Sequence, residues 1–208
     1  MKERPIIFSA SMVRAILDGS KTQTRRVMKV QPPPGNYRLG TILSSTVPGE
    51  DGRHLWNQVG DDGFSAGEGR EPTFPCPYGQ PGDRLWVKET HRLQNRYRNV
   101  WCTYIADGLT TPVPSPQMVD IARPGNRPSI FMHRWASRIT LKVTDVRVER
   151  LQDISDEDSL AEGVYPTSTG LYPGSPRAAY QKIWKQINGT ASWDANPWVW
   201  VVEFRRLP

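Results

Sequence analysis

From Arg138 to Glu149 the chain alternates. Ile139, Leu141, Val143 and Asp145 take one parity, and Thr140, Lys142, Thr144 and Val146 take the other. A period of two makes one apolar face only in an extended strand, because a helix would scatter the same residues around its axis. A strand is therefore predicted over 138–149. Shorter runs of the same kind predict strands at Pro5–Phe8, Thr24–Val30, Arg84–Glu89, Trp101–Ile105 and Trp198–Phe204. In the last of these, Trp198, Trp200, Val202 and Phe204 share the core-facing parity.

Helices fall between the strands. Ser9 or Ser11 caps a helix that carries Val13, Ile16 and Leu17 on one face, and Gly19 stops it. Ser155 caps a short acidic helix that ends at Gly163. Ser175-Pro176 opens a third, with Tyr180, Ile183, Trp184 and Ile187 as its buried stripe. Two Pro- and Gly-rich stretches, at about 31–79 and 107–128, read as long irregular insertions, and Tyr165–Gly174 reads as a further loop. The order predicts an α+β fold: a small β-barrel with flanking helices, in one domain spanning 1–208.

Composition excludes several classes. Aromatic residues make up 10% of the 208, too many for a disordered chain. No apolar run is long enough to span a bilayer, so no membrane partner is expected. Met1-Lys2-Glu3-Arg4-Pro5 has no apolar segment behind it and is not a secretion signal. Two cysteines, Cys76 and Cys102, make no disulfide framework, and a reducing cytoplasm is the expected location. The cysteines and His54, His91 and His133 lack the spacing of a zinc site, and there is no P-loop or dinucleotide fingerprint. Neither a metal nor a cofactor is expected.

The charge is concentrated. Residues 1–30 hold seven basic residues against two acidic ones, +5 of the net +6 of the whole chain. Arg84, Lys88, Arg92, Arg96 and Arg98 form a second basic run. Asp153, Asp156, Glu157, Asp158 and Glu162 form an acidic one. A local basic surface suits an anionic partner such as a nucleotide or RNA, or it serves only to solubilise the fold.

Three constellations carry possible chemistry. In Asp18–Arg26 a turn between helix and strand brings Lys21 and Thr24 to one side. A Thr hydroxyl needs a base, and a Lys whose pKa is lowered by burial and by cations such as Arg25 and Arg26 can serve. The alternative is a solvated basic turn. Glu162 falls in the last turn of the acidic helix, where the macrodipole disfavours an acid. Either it is exposed on a frayed end, or a cation such as Lys21 partners it. In Pro81–Glu89, Trp86 either packs or stacks on a base, and Glu89 either lines a pocket or marks where the strand leaves the core. Trp135 is placed to line a cleft.

Gly19-Ser20-Lys21-Thr22-Gln23-Thr24-Arg25-Arg26, Pro81-Gly82-Asp83-Arg84-Leu85-Trp86-Val87, Ala161-Glu162-Gly163, the Trp-containing helix and Val199-Trp200-Val201-Val202-Glu203-Phe204 together resemble an ASCH domain. That family belongs to the PUA-like β-barrel superfamily, and the longer form is similar to members from bacteriophages and prophages. The resemblance implies a cleft for a nucleoside or RNA. Some small bacterial members are amidohydrolases that remove the acetyl group from N4-acetylcytidine. Others are linked to RNA binding or ribonuclease activity. Carried over by motif, Thr24 is the nucleophile, Lys21 the base and Glu162 the third member. Arg26 is a substrate contact, with Arg25, Trp86, Glu89 and Trp135 as further candidate contacts, and main-chain N–H groups of the Lys21–Thr24 turn are the expected oxyanion donors.

Overall fold

The computed structural model describes residues 1–32, 37–41, 53–59, 73–96, 99–112, 124–164 and 174–208. The centre is a five-stranded sheet built from β1 (Glu3–Ile7), β2 (Gln23–Val27), β5 (Arg84–Lys88), β10 (Thr140–Arg150) and β11 (Trp198–Arg206), in the order β1-β5-β10-β11-β2. β1 and β5 are parallel, and the other pairs are antiparallel. The longest ladder joins β10 to β11, with a register shift between Val143 and Asp145.

β11 divides two cores. Trp200, Val202 and Phe204 pack with Ile6, Phe8, Val13, Ile16, Leu85, Val87 and Leu141. Val199 and Val201, of the opposite parity, pack with Leu151, Ile154, Tyr180, Trp184 and Trp193. A strand buried on both faces needs a continuous apolar run, and Trp198–Val202 supplies one.

α1 (Ala10–Leu17) starts at Ser9, whose hydroxyl accepts from the Met12 N–H. It ends at Asp18, followed by Gly19 at φ +84°, a left-handed position that glycine takes without a steric penalty. α2 (Asp156–Ala161) is capped by Ser155, with Asp156, Glu157 and Asp158 in its first turn. α3 (Pro176–Asn188) is capped by Ser175, with proline at its start. The predicted stripe of α3 is only half buried: Tyr180 and Trp184 are in the core, but Ile187 is 59% exposed because it overhangs a cavity.

The structure corrects the expected barrel. Among the described residues the sheets are open, and the central one ends at β1 on one side and β2 on the other. These two edges meet through a side chain: Arg26 donates from its guanidinium to the Ile7 carbonyl at 2.6 Å. The chain between them is α1, which packs Val13 and Ile16 into the core.

The insertions are also more regular than expected. Within 31–79, β3 (Tyr37–Thr41) and β4 (His54–Gln58) pair antiparallel, and His54 bridges to Phe74. Trp56 is buried with its ring 5.2 Å from that of Trp198, so this hairpin covers the main core. Within 107–128, β8 (Thr110–Pro112) and β9 (Gly125–Arg127) flank β6 (His91–Arg96) and β7 (Asn99–Tyr104) in a four-stranded sheet, β8-β7-β6-β9. The predicted second strand stops at Val27 rather than Val30. Most of the Tyr165–Gly174 loop, and Arg98, lie outside the described residues. No helix among the described residues is long and apolar enough to cross a membrane.

Candidate active site

Lys21 lies between α1 and β2, and Glu162 is the residue that closes α2. The two backbones form an isolated antiparallel bridge, 141 residues apart in sequence. Lys21 N donates to Ala15 O at 2.9 Å and Thr22 N to Ala161 O at 2.8 Å, so the turn is fastened to both helices. Gly163 makes this approach possible. Its φ is +78°, and a Cβ there would stand 2.8 Å from Ala15 Cβ and 3.0 Å from Lys21 Cβ.

Lys21 Nζ donates to Glu162 Oε2 at 2.7 Å and to the Glu162 main-chain carbonyl at 2.9 Å. The Lys21 side chain is fully buried, and that of Glu162 is 4% exposed. The cation thus sits on the negative end of α2 and on the carboxylate that the helix dipole disfavours, the second of the two arrangements left open by the sequence. Burial lowers the pKa of Lys21, with Arg26 and Arg25 adding to the effect and Glu162 opposing it.

Arg25 extends the chain of charges inward. Its NH2 donates to Glu149 Oε2 at 2.8 Å and to Asp158 Oδ2 at 2.6 Å, and its NH1 lies 3.7 Å from Glu162 Oε1. Arg147 closes the network on Glu149, Asp158 and Glu203. Burial alone would raise the Asp158 pKa, but Arg25 and Arg147 outweigh it and hold it below the usual carboxylate range.

A cavity of about 310 Å3 opens beside this pair, lined by Thr24, Arg25, Arg26, Glu162, Tyr78, Tyr180 and Trp184, with Ile183 and Ile187 at its apolar side. A second cavity of about 400 Å3 shares Ser9, Met12, Glu162, Ile183 and Ile187, so Glu162 stands where the two meet. Within the described residues no hydrogen bond occupies the Thr24 hydroxyl, and Glu162 Oε1 is buried without a hydrogen-bond partner. Arg26 also lies over the Phe8 ring, its Cζ 5.3 Å from the ring centre.

The structure therefore brings together five of the eight candidate residues: Thr24, Lys21, Glu162, Arg26 and Arg25. It does not bring Trp86, Glu89 or Trp135 to this cavity. Trp86 sits on β5 with Lys88 Nζ 5.6 Å from its ring. Glu89 is buried in a two-point pair with Arg138, at 2.9 and 3.0 Å. Trp135 stacks on His133 and packs against the core beneath the four-stranded sheet. Alternation gave the parity of Trp86 and Glu89 but not which core each would face, and it said nothing of Trp135. Tyr78, Tyr180 and Trp184 were not expected in the site; the stripe on α3 signalled burial, not a cavity wall.

The turn amides from Gly19 to Thr22 are not free oxyanion donors. Gly19 N donates to Ile16 O, Ser20 N to Asp18 Oδ1, Lys21 N to Ala15 O and Thr22 N to Ala161 O. Among the described residues no group of three His, Cys, Asp or Glu is placed to hold a metal ion. Compared with protein-family models, curated proteins and solved structures, the chain matches none.

Proposed function

We propose that this chain is an ASCH-domain protein of the PUA-like superfamily, and that its cavity hydrolyses the amide of N4-acetylcytidine or a related acylated nucleoside. The observation that carries the reading is the buried Lys21, held through two hydrogen bonds by Glu162, which lines the same cavity as Thr24.

The chemistry follows from the neutral amine. Its two N–H groups match the two bonds to Glu162, which leaves the nitrogen lone pair to take a proton. Lys21 removes the Thr24 proton as Thr24 Oγ1 attacks the acetyl carbonyl. The C–N bond then breaks, and the cytosine amine leaves with the proton from Lys21. Water, deprotonated by Lys21 in its turn, releases acetate and restores Thr24. Glu162 orients the amine and balances the charge while Lys21 is protonated. Arg26 and the apolar wall formed by Ile183 and Trp184 hold the nucleoside.

Purified protein mixed with N4-acetylcytidine should yield cytidine and acetate, separated by chromatography. Lys21→Ala and Thr24→Ala should each abolish the product. Full turnover in both variants overturns the mechanism. Salt-sensitive RNA binding with no turnover by the wild type replaces it with a non-catalytic RNA-binding module.

A further inference from the structure

A third cavity, of about 340 Å3, adjoins the one that Thr24 and Glu162 line: Val27 and Tyr78 belong to both. The chain of β2 runs past the two. Thr24, Arg25 and Arg26 line the first, and Met28, Lys29 and Val30, just beyond the strand, line the third. Phe74, Pro75 and Pro77 complete it together with Trp200, which pairs in register with Arg26. Those three residues come from the end of the 31–79 stretch, so the insertion builds part of this cavity.

Its lining is aromatic or aliphatic apart from Lys29, the one charged residue there. Val27 and Val30 are 43% and 46% exposed. The Trp200 ring is buried and held edge-on by His54 at 4.8 Å and by Phe74 at 6.3 Å, so it needs no ordering when a ligand enters. Apolar and aromatic surface beside a cation, with no carboxylate, is complementary to a base and its phosphate. An aliphatic ligand has no use for the cation, and a small anion has no use for the valines.

We propose that the third cavity is a subsite for the nucleotide next to the acylated cytidine, so that the preferred substrate is an acylated oligonucleotide rather than the free nucleoside. The proposal rests on the hydrolytic reading above and names its substrate class. The reacting nucleoside occupies the cavity at Thr24, and its neighbour is joined to it past Val27 and Tyr78. Arg26 precedes Val27 and Lys29 follows it, each lining its own cavity, which gives the linking phosphate a cation on either side of the junction.

The test compares kcat/KM for N4-acetylcytidine, its 5′-monophosphate and the two dinucleotides that carry uridine on its 5′ or its 3′ side. Expected is an advantage of about tenfold for one dinucleotide over the nucleoside. Lys29→Gln and Val30→Glu lie at exposed positions that line the third cavity and not the first. Each should remove the advantage and leave kcat/KM for the nucleoside unchanged. Equal values for the nucleoside and both dinucleotides overturn the subsite, as does an advantage that survives in both variants. A monophosphate as good as the better dinucleotide overturns it too, because a phosphate then suffices without a second base. Titration of the unacetylated dinucleotides, followed by tryptophan fluorescence, separates this proposal from the one it rests on. Binding that Lys29→Gln weakens, with no substrate hydrolysed, overturns the hydrolytic reading and supports the nucleotide subsite. Hydrolysis of the nucleoside with no dinucleotide preference does the reverse. Neither binding nor hydrolysis overturns both.

Discussion

Glu162 holds Lys21 twice, through its carboxylate at 2.7 Å and through its own main-chain carbonyl at 2.9 Å. One residue thus ends a helix, balances a buried cation and fixes where that cation points. Severing it should have separable effects on stability and on protonation.

Removing one member of a buried ion pair strands the other. Glu162→Ala should lower stability by about 3 kcal/mol, the low end for such pairs, because Lys21 can shed its proton. Replacing both members, Lys21→Met with Glu162→Met, should restore most of the loss while leaving no hydrolysis. Urea unfolding of the three proteins, scored at constant m-value, checks this.

The rate should rise with pH as Lys21 loses its proton. Because burial and the two arginines lower its pKa, the rise should be centred below lysine's ordinary value of about 10.4. Arg25→Gln removes one of those cations, so the rise should move to higher pH. A pH–rate profile of kcat/KM for both proteins measures the displacement, and a movement to lower pH would contradict the sign.

Gly163→Ala should damage the site from outside the cavity. The new Cβ would meet Ala15 and Lys21 at 2.8 and 3.0 Å, in a backbone conformation of φ +78° that side chains resist. A loss of about 1–3 kcal/mol is expected, together with a fall in kcat as Lys21 is displaced. Thermal melting and steady-state kinetics on the same preparation read both.

Asp158 links stability to acid. Its folded pKa is held down, so its contribution is complete above the unfolded value of about 3.9 and is lost as pH falls through the folded pKa. Asp158→Asn should therefore be less stable than the wild type at pH 7, and the difference should shrink below pH ~4. Denaturation midpoints at several pH values test the convergence.

The pairing of Lys21 with Glu162 was one of two alternatives legible in the sequence, and two local rules pointed to it. An acid at a helix C-terminus calls for a cation, and a turn rich in Lys and Arg offers one. The α+β class and the central strands were legible from alternation. Glu89 shows where this stops. Its parity marked it as facing inward, but only the tertiary packing sets it against Arg138, 49 residues on. The partners of Arg25 were equally hidden. Glu149 and Asp158 reach it only through the β10–β11–β2 register and the placing of α2. β3 and β4 escaped notice because they are short and sit in a polar, Pro- and Gly-rich stretch, and they are covered on one face alone.

An open sheet carries two rows of unpaired main-chain groups, each a template for a strand from another molecule. Here the edges are turned on each other. The carbonyl of Ile7 that β1 leaves over is taken by the guanidinium of Arg26 on β2, so an incoming strand would have to evict a charged group to begin pairing. The same arginine that faces the cavity thereby guards the protein against edge-to-edge aggregation.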